Sequence, residues 1–122
     1  MLTVLFVDGD KTFREQLRGL FDCDSGFETC VEARNGAEAL AKSFRGSLHL
    51  AVLDFSLTDM GAIELAHKLK AILPELPIFV MTTDYNVSIE KKVLASGISA
   101  VFSKQDDLTT LVANARAVCG IE

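Results

Sequence analysis

The sequence predicts an α/β fold in which five parallel strands are covered by helices on both faces. Five short apolar runs alternate with five stretches of amphipathic or helix-forming sequence along the 122 residues. Runs that are apolar throughout are typical of strands buried in a parallel sheet, and their alternation with helices is typical of repeated strand–helix units. No linker or repeat interrupts the pattern. We therefore expect one three-layer domain over residues 1–122.

Each predicted strand is a short apolar run bounded by polar or turn residues. The first run starts directly after Met1, and the second, which is weaker, follows the turn Ser25-Gly26. Pro77 introduces the fourth run. The predicted strands are Leu2–Val7, Phe27–Glu32, Leu48–Leu53, Ile78–Met81 and Ala100–Ser103.

The first two helices are predicted from their caps and from apolar residues at helical spacing. Asp10 or Thr12 can cap the first helix, and Asn35-Gly36 opens the second. The residues expected to face the core are Phe13, Leu17, Leu20 and Phe21 in the first helix and Ala37, Leu40, Ala41 and Phe44 in the second. The first helix also carries a charged stripe, which we interpret as a solvated face, made of Lys11, Arg14, Glu15 and Arg18.

The last three helices are predicted from caps and stop signals. Pro74 ends the third helix, which spans roughly Asp59–Leu73, and Gly97 ends the fourth, Asn86–Ser96. One of the adjacent acids Asp106-Asp107 caps the fifth. The inward residues are expected to be Ile63, Ala66, Leu69 and Ile72 in the third helix and Leu108, Leu111, Val112 and Ala115 in the fifth.

Composition and charge exclude several kinds of partner. The formal net charge of −5 argues against direct binding of nucleic acid, whose phosphates need clustered basic residues. The first apolar run is too short to span a membrane and lacks the basic start of a signal peptide. The three cysteines have no Cys-x-x-Cys spacing, so we interpret them as small buried side chains in a reducing compartment. We expect a cytoplasmic domain without a membrane partner.

Four polar residues follow four of the five predicted strands. They are Asp8, Asp54, Thr82 and Lys104. Because the carboxyl ends of parallel strands share one edge of the sheet, two carboxylates, a hydroxyl and an ammonium are expected to converge on one crevice. A single acid after a strand is usually a helix cap, but capping does not explain all four.

This combination of groups suits the transfer of a phosphoryl group to a carboxylate. The transition state needs positive charge around the equatorial oxygens and an aligned acceptor. Carboxylates can hold Mg²⁺, while a lysine and a hydroxyl can donate to the remaining phosphoryl oxygens. The added negative charge can then be followed by a movable threonine.

The sequence resembles response-regulator receiver domains over essentially its whole length. The resemblance rests on four segments, each short and of low specificity alone: Val-Leu-Phe-Val-Asp-Gly-Asp at 4–10, Ala-Val-Leu-Asp at 51–54, Pro-Ile-Phe-Val-Met-Thr at 77–82 and Ala-Val-Phe-Ser-Lys at 100–104. It implies a flavodoxin-like (βα)5 fold with strand order 2-1-3-4-5.

The resemblance also implies roles for individual residues. Asp54 would accept the phosphoryl group from a histidine kinase or phosphotransfer protein, Thr82 would be the switch hydroxyl, and Lys104 would pair with the phosphate. Asp8, Asp54 and the backbone carbonyl of Ser56 would hold Mg²⁺. The chain would then be a signalling domain, not an enzyme, which switches a surface read by an output domain or partner protein and which could form a homodimer.

Four positions depart from the family's pattern. Gly9 stands where the family has a second acid that contacts Mg²⁺, so we expect weak Mg²⁺ binding. Asp10 is a further candidate ligand if the glycine lets the backbone shift. The other departures are Val101 in place of an aromatic residue that moves with the threonine, Gln105 in place of a proline, and Thr58 in place of a proline, with Gly61 one position early.

Two alternative functions stay open. The segment Asp8-Gly9-Asp10-Lys11-Thr12 is similar to the Asp-x-Asp-x-Thr start of haloacid-dehalogenase-type phosphatases, in which Asp8 would be the nucleophile. That fold is normally longer and carries an inserted flap, and it leaves Asp54 without a role. The second alternative is a pseudo-receiver that docks without phosphorylation. An active receiver is favoured because acceptor, threonine and lysine are all present.

Overall fold

Five parallel strands form one sheet in the order β2-β1-β3-β4-β5. The computed structural model describes residues 2–43 and 47–121, with the backbone alone at Thr29. The strands are β1 (Leu2–Val7), β2 (Phe27–Ala33), β3 (Leu50–Asp54), β4 (Ile78–Thr82) and β5 (Ala100–Ser103). The α/β class and the strand order 2-1-3-4-5 are therefore confirmed.

Helices cover both faces of this sheet. They are α1 (Lys11–Asp22), α2 (Gly36–Ser43), α3 (Ala62–Ile72), α4 (Val87–Ala95) and α5 (Leu108–Val118). Helices α1 and α5 pack on one face, while α2, α3 and α4 pack on the other. The chain changes direction across the sheet between β1 and β3, so the loops after these two strands diverge to opposite faces and leave a crevice at the carboxyl edge.

Two apolar clusters, one on each face, hold the layers together. Alternate residues of each strand enter opposite clusters because successive side chains of a strand point to opposite faces. In β1, for example, Val4 and Phe6 pack under α1 and α5, whereas Leu5 and Val7 pack under the other three helices. The central strands β1, β3 and β4 are thus buried on both sides, which is why they are mostly apolar, whereas the edge strand β2 carries Glu28 and Glu32.

Helix α3 begins three residues later than predicted. It starts at Ala62, because Asp59 caps a different helix: its carboxylate accepts hydrogen bonds from the backbone N–H groups of Gly36 and Ala37, both at 2.9 Å. The predicted inward face was also partly wrong. Ala66 and Leu69 are buried as predicted and Ile63 packs against the same core cluster, but Ala62 and Leu65 are buried too, and Ile72 is only half-buried.

Helix α2 uses only part of the predicted face, since Leu40 packs against the core cluster as predicted. Ala37 and Ala41 are exposed, whereas Gly36, Ala39 and Ser43 are buried. The reason is tertiary: a Cβ at Gly36 would lie 2.6 Å from the side chain of Met60, so the glycine lets the two segments meet closely. The predicted core residue Phe44 lies outside the described residues.

Two smaller expectations can be compared with the structure. Cys23 is exposed, and Cys30 and Cys119 are half-buried, so the interpretation of the cysteines as buried side chains was wrong for Cys23 and holds only in part for the other two. Over residues 2–43 and 47–121, none of the helices has the length and apolar character needed to cross a membrane.

Candidate functional site

The four polar residues predicted at the strand ends lie at the carboxyl edge of the sheet. Asp8 follows β1, Asp54 is the last residue of β3, Thr82 is the last residue of β4, and Lys104 follows β5. Asp8 and Thr82 are almost fully buried. The structure therefore gathers residues that are up to 96 positions apart in the chain.

Lys104 bridges the two carboxylates. Its Nζ lies 2.6 Å from Oδ2 of Asp8 and 3.6 Å from Oδ1 of Asp54, and it stands 4.6 Å from the centre of the Phe13 ring. The side chains of Lys104 and Asp54 are only 13% and 14% exposed, so these charges interact with little screening by water. One ammonium thus offsets the repulsion between two acids, and the ring face adds a cation–π contact.

Asp54 is a partly buried carboxylate with an elevated proton affinity. Burial raises its pKa above the ordinary value, and the negative charge of Asp8 raises it further. Two donors oppose this shift: the backbone N–H of Ser56, at 3.2 Å from Oδ1, and the ammonium of Lys104. The carboxylate is therefore held in a defined orientation while it keeps some access to solvent.

Asp8 is fixed through both its side chain and its backbone. Its Oδ1 accepts from the N–H of Asp10 at 2.8 Å, and its carbonyl oxygen accepts from Nη1 of Arg14 at 2.5 Å. Asp10 caps α1, since its own Oδ1 accepts from the N–H groups of Thr12 and Phe13. The cap interpretation of Asp10 is thus confirmed, whereas its alternative role as a metal ligand stays a prediction.

Thr82 connects the crevice to the segment that leads into α4. Its hydroxyl oxygen accepts from the N–H of Asp84 at 3.2 Å, and its carbonyl oxygen accepts from the N–H of Lys104 at 2.9 Å. Val101 packs in the α2–α3–α4 cluster and Phe102 in the opposite one, because successive side chains of a strand point to opposite faces. The Thr82 hydroxyl is therefore bonded directly to the backbone of the segment before α4.

The loop after Lys104 is held by side chains in the absence of a proline. The peptide bond between Lys104 and Gln105 is trans. Ser103 is the centre of the loop: its hydroxyl donates to Oε1 of Gln105 at 2.7 Å, and its N–H donates to Oδ2 of Asp106 at 3.2 Å. These bonds keep the backbone of Lys104 in place.

The donor set of the crevice fits Mg²⁺, with fewer acids than the family pattern has. Asp8 and Asp54 supply carboxylates, and Ser56, two residues after Asp54, has a backbone carbonyl. In the described part of the chain, no group of three or more His, Cys, Asp or Glu residues is arranged to hold a metal. A Cβ at Gly9 would meet the Arg34 carbonyl oxygen at 3.8 Å, an ordinary contact, so the backbone there has room for a Cβ.

Sequence reasoning missed two residues near the site. Arg14 was assigned to a solvated stripe, yet it is buried, with 7% of its surface exposed. Asp59 was placed inside α3, yet it caps α2. A signal for Arg14 existed: it directly follows the inward Phe13, and β2 presents the acid Glu32 opposite it, at 3.1 Å from Nε. No local pattern pairs Asp59 with a helix 22 residues earlier.

Sequence comparison with known proteins matches this chain to one family model and to parts of longer regulatory proteins. The family model for the response regulator receiver domain matches residues 4–116. The chain is 33% identical over 118 residues to a candidate transcriptional regulator of Pseudomonas aeruginosa, and the match covers 97% of this chain and 56% of that protein. It is 34% identical over 110 residues to a cyclic di-GMP phosphodiesterase of Thermotoga maritima, covering 90% of this chain and 29% of that protein. The chain thus spans about half or less of these relatives.

Solved structures show the same fold. A two-component response regulator from Clostridium difficile superposes with a TM-score of 0.88 at 27% identity, covering 97% of this chain and 95% of that chain. A CheY-like receiver domain protein from Methanospirillum hungatei gives 0.88 at 22% identity, covering 98% and 94%. The family is one of signalling domains, in which phosphorylation of an aspartate is characteristic. This chain belongs to the response regulator receiver domain family of two-component systems.

Proposed function

We propose that Asp54 accepts a phosphoryl group from a histidine kinase or phosphotransfer protein, and that this changes the surface presented to an output domain or partner protein. The observation that supports this most directly is the position of Lys104, whose Nζ lies 3.6 Å from the Asp54 carboxylate and 2.6 Å from that of Asp8. The proposed acceptor, a cation and a second acid therefore meet at the carboxyl edge of the sheet.

The transfer itself is a displacement at phosphorus. A carboxylate oxygen of Asp54 forms a bond to the phosphorus while the bond from phosphorus to the donor's imidazole nitrogen breaks, and that nitrogen leaves with the electron pair and takes a proton from solvent. Mg²⁺, held by Asp8, Asp54 and the carbonyl of Ser56, would supply positive charge to the phosphoryl oxygens. Lys104 donates to another of these oxygens.

The response to phosphorylation begins with hydrogen-bond donors that can move. Lys104 is within reach of both acids, so a new phosphoryl group at Asp54 competes with Asp8 for its ammonium. The Thr82 hydroxyl can turn to donate to the same group, which alters its bond with the N–H of Asp84. Both changes reach the loops before α4 and α5.

The proposal extends to the whole chain and its surroundings. We infer that residues 1–122 act as one receiver unit in the cytoplasm, coupled to an output that lies in the same polypeptide or in a partner, and that homodimerisation is one form this output could take. Mg²⁺ binding is proposed to be weak because Gly9 removes one carboxylate.

Site-resolved labelling tests the proposal. The protein is incubated with acetyl phosphate and Mg²⁺, and the modified peptide is located by mass spectrometry, with Asp54→Asn as the test variant and Asp84→Asn as a matched control near the crevice. We expect labelling of the wild type and the control, and its loss in Asp54→Asn. An adduct on Asp8 would support the phosphatase alternative, and absence of any adduct would support the pseudo-receiver.

A further inference from the structure

Arg14 is a buried cation beside the acidic crevice that the phosphoryl chemistry does not use. It lies on α1, with 9% of its side chain exposed. Its Nη1 donates to the backbone carbonyl of Asp8 at 2.5 Å, and its Nε donates to Oε1 of Glu32 at 3.1 Å. The planar guanidinium therefore connects the loop after β1 with strand β2.

The carbonyl of Asp8 sits where the β1–β2 ladder stops. The last ladder pair is Val7 with Ala33, and the N–H of Asp8 still donates to the carbonyl of Ala33 at 3.0 Å. The guanidinium of Arg14 donates the hydrogen bond that the Asp8 carbonyl accepts. A buried carbonyl that loses such a partner destabilises its local conformation.

This bond acts on the peptide that joins Asp8 to Gly9. Glycine restricts its backbone less than any other residue, and a Cβ at this position would contact only the Arg34 carbonyl oxygen, at 3.8 Å. Without a restraint, the peptide after Asp8 could rotate and shift the N–H of Asp10, which orients the Asp8 carboxylate through its bond to Oδ1. Arg14 thus restrains the Asp8–Gly9 peptide plane, which has more rotational freedom because glycine has no side chain.

Glu32 keeps the guanidinium in place from the other side. Its second oxygen, Oε2, lies 3.1 Å from Nη1 of Arg18, whose side chain is 53% exposed. The ammonium of Lys42 donates to the backbone carbonyl of Glu32. Arg14 and Arg18 therefore share one carboxylate, but Arg14 is the partner that also reaches Asp8.

We propose that Arg14 is a positioning residue that restrains the Asp8–Gly9 peptide and so holds the Asp8 carboxylate toward Lys104 and Asp54. It contacts neither the acceptor nor the incoming phosphoryl group in this role. The structural part of the proposal stands by itself, and only its consequence for labelling rests on the proposed function.

Hydrogen exchange tests the structural part without any phosphoryl donor. The reporter is the N–H of Asp10, which donates to Oδ1 of Asp8. We expect its exchange, measured by NMR relative to amides of the β3 core, to be about ten-fold faster in Arg14→Met. The matched control Arg18→Met removes the other arginine from Glu32 and is expected to change this ratio less than about two-fold. If Arg14→Met does not fold, Arg14→Lys is measured in the same way, with an expected increase of about three-fold.

A substitution at Gly9 separates positioning by Arg14 from general support of the fold. Gly9→Ala narrows the freedom of the backbone at a site with room for a methyl group. In that background, Arg14→Met should accelerate the exchange of the Asp10 N–H by less than about three-fold, because part of the restraint is already present. Acetyl-phosphate labelling of Asp54 should slow with Arg14→Met and recover partly in the double variant.

Two results overturn the proposal. One is equal acceleration in Arg14→Met and Arg18→Met, which would assign the effect to Glu32 alone. The other is an unchanged effect of Arg14→Met in the Gly9→Ala background, which would mean that Arg14 merely supports the fold. If wild-type protein takes no label, the proposed function fails while the exchange results still decide the role of Arg14.

Discussion

Helices α1 and α4 both follow strands that end at the crevice, yet they are attached to the sheet very differently. Helix α1 buries Phe13, Leu17 and Phe21 together with Arg14, and Asp10 caps its start. Among the nine positions of α4, all of them described, Val93 alone is fully buried, and Ile89 is half-buried against the same cluster. Tyr85, Val87 and Leu94, which accompany α4, are exposed.

From this difference we infer that the loop before α1 stays fixed on phosphorylation and that the segment before α4 responds. The loop before α1 carries Asp8 and is restrained by backbone, cap and guanidinium. The segment before α4 is joined to the crevice by the bond from the Asp84 N–H to the Thr82 hydroxyl. Elements with few buried apolar contacts open at lower free energy, so a signal at Asp54 should move α4 before it moves α1.

The largest expected effect is a difference in stability between equivalent truncations of the two helices. Leu17→Ala removes a fully buried side chain from α1 and should lower the free energy of unfolding by about 2–5 kcal/mol. Leu94→Ala, at a residue that is 43% exposed on α4, should change it by less than about 0.5 kcal/mol. Urea unfolding measures both. Equal losses of unfolding free energy in the two variants would contradict the inference that α4 is held by fewer buried apolar contacts than α1.

The next effect sharpens the comparison at the fixed loop. Gly9→Asp adds a third carboxylate where a Cβ has room, so Mg²⁺ should bind about ten-fold more tightly, equivalent to about 1.4 kcal/mol. Gly9→Asn, which has the same size without the charge, is the control. Titration calorimetry checks both. No gain over Gly9→Asn would mean that this position does not face the metal.

A smaller effect is expected at the link to α4. Thr82→Val removes the hydroxyl that accepts from the Asp84 N–H and should destabilise the protein by about 1 kcal/mol. When beryllofluoride binds at Asp54, hydrogen exchange in α4 should change in the wild type, and this change should be absent in Thr82→Val. The adjacent, exposed Thr83→Val is the control. If α4 still responds in Thr82→Val, the signal takes another path.

The smallest effect concerns the loop after the acceptor, which is joined to α2 by Asp59. Hydrogen bonds from the N–H of Gly36, and then of Ala37, lower the pKa of Asp59 below its ordinary value of 3.8. A carboxyl whose pKa is lowered on folding stabilises the protein above its unfolded-state pKa, and this contribution disappears as the pH falls through the folded-state pKa. Asp59→Asn should therefore lower the melting temperature by a few degrees at pH 7 and by less at acidic pH.

Thermal unfolding from pH 7 down to below pH 3.8 measures this difference. Thr58→Ala, an exposed neighbour that does not titrate, is the control and should show a constant difference from wild type. A pH-independent deficit in Asp59→Asn would contradict the capping role.

Most of the architecture could be predicted because it depends on local patterns. Apolar runs such as Leu2–Val7 define buried strands, and Asp10 and Gly97 mark a helix start and a helix end by their own chemistry. The helix faces were harder. In α2 and α3 the spacing of apolar residues allowed more than one face, and packing against Met60 and the sheet selected between them.

The sequence by itself determined the fold class, the order of the elements and the set of groups at the strand ends. Strand-end position depends only on where an apolar run stops, and the parallel sheet brings all such ends to one edge. Only the tertiary structure decided how those groups and their neighbours are held. Lys104 lies nearer to Asp8 than to Asp54, and Arg14 is buried against the Asp8 carbonyl. Asp59 caps α2 instead of lying inside α3. These contacts join distant segments, whose distances and angles arise only when the layers pack.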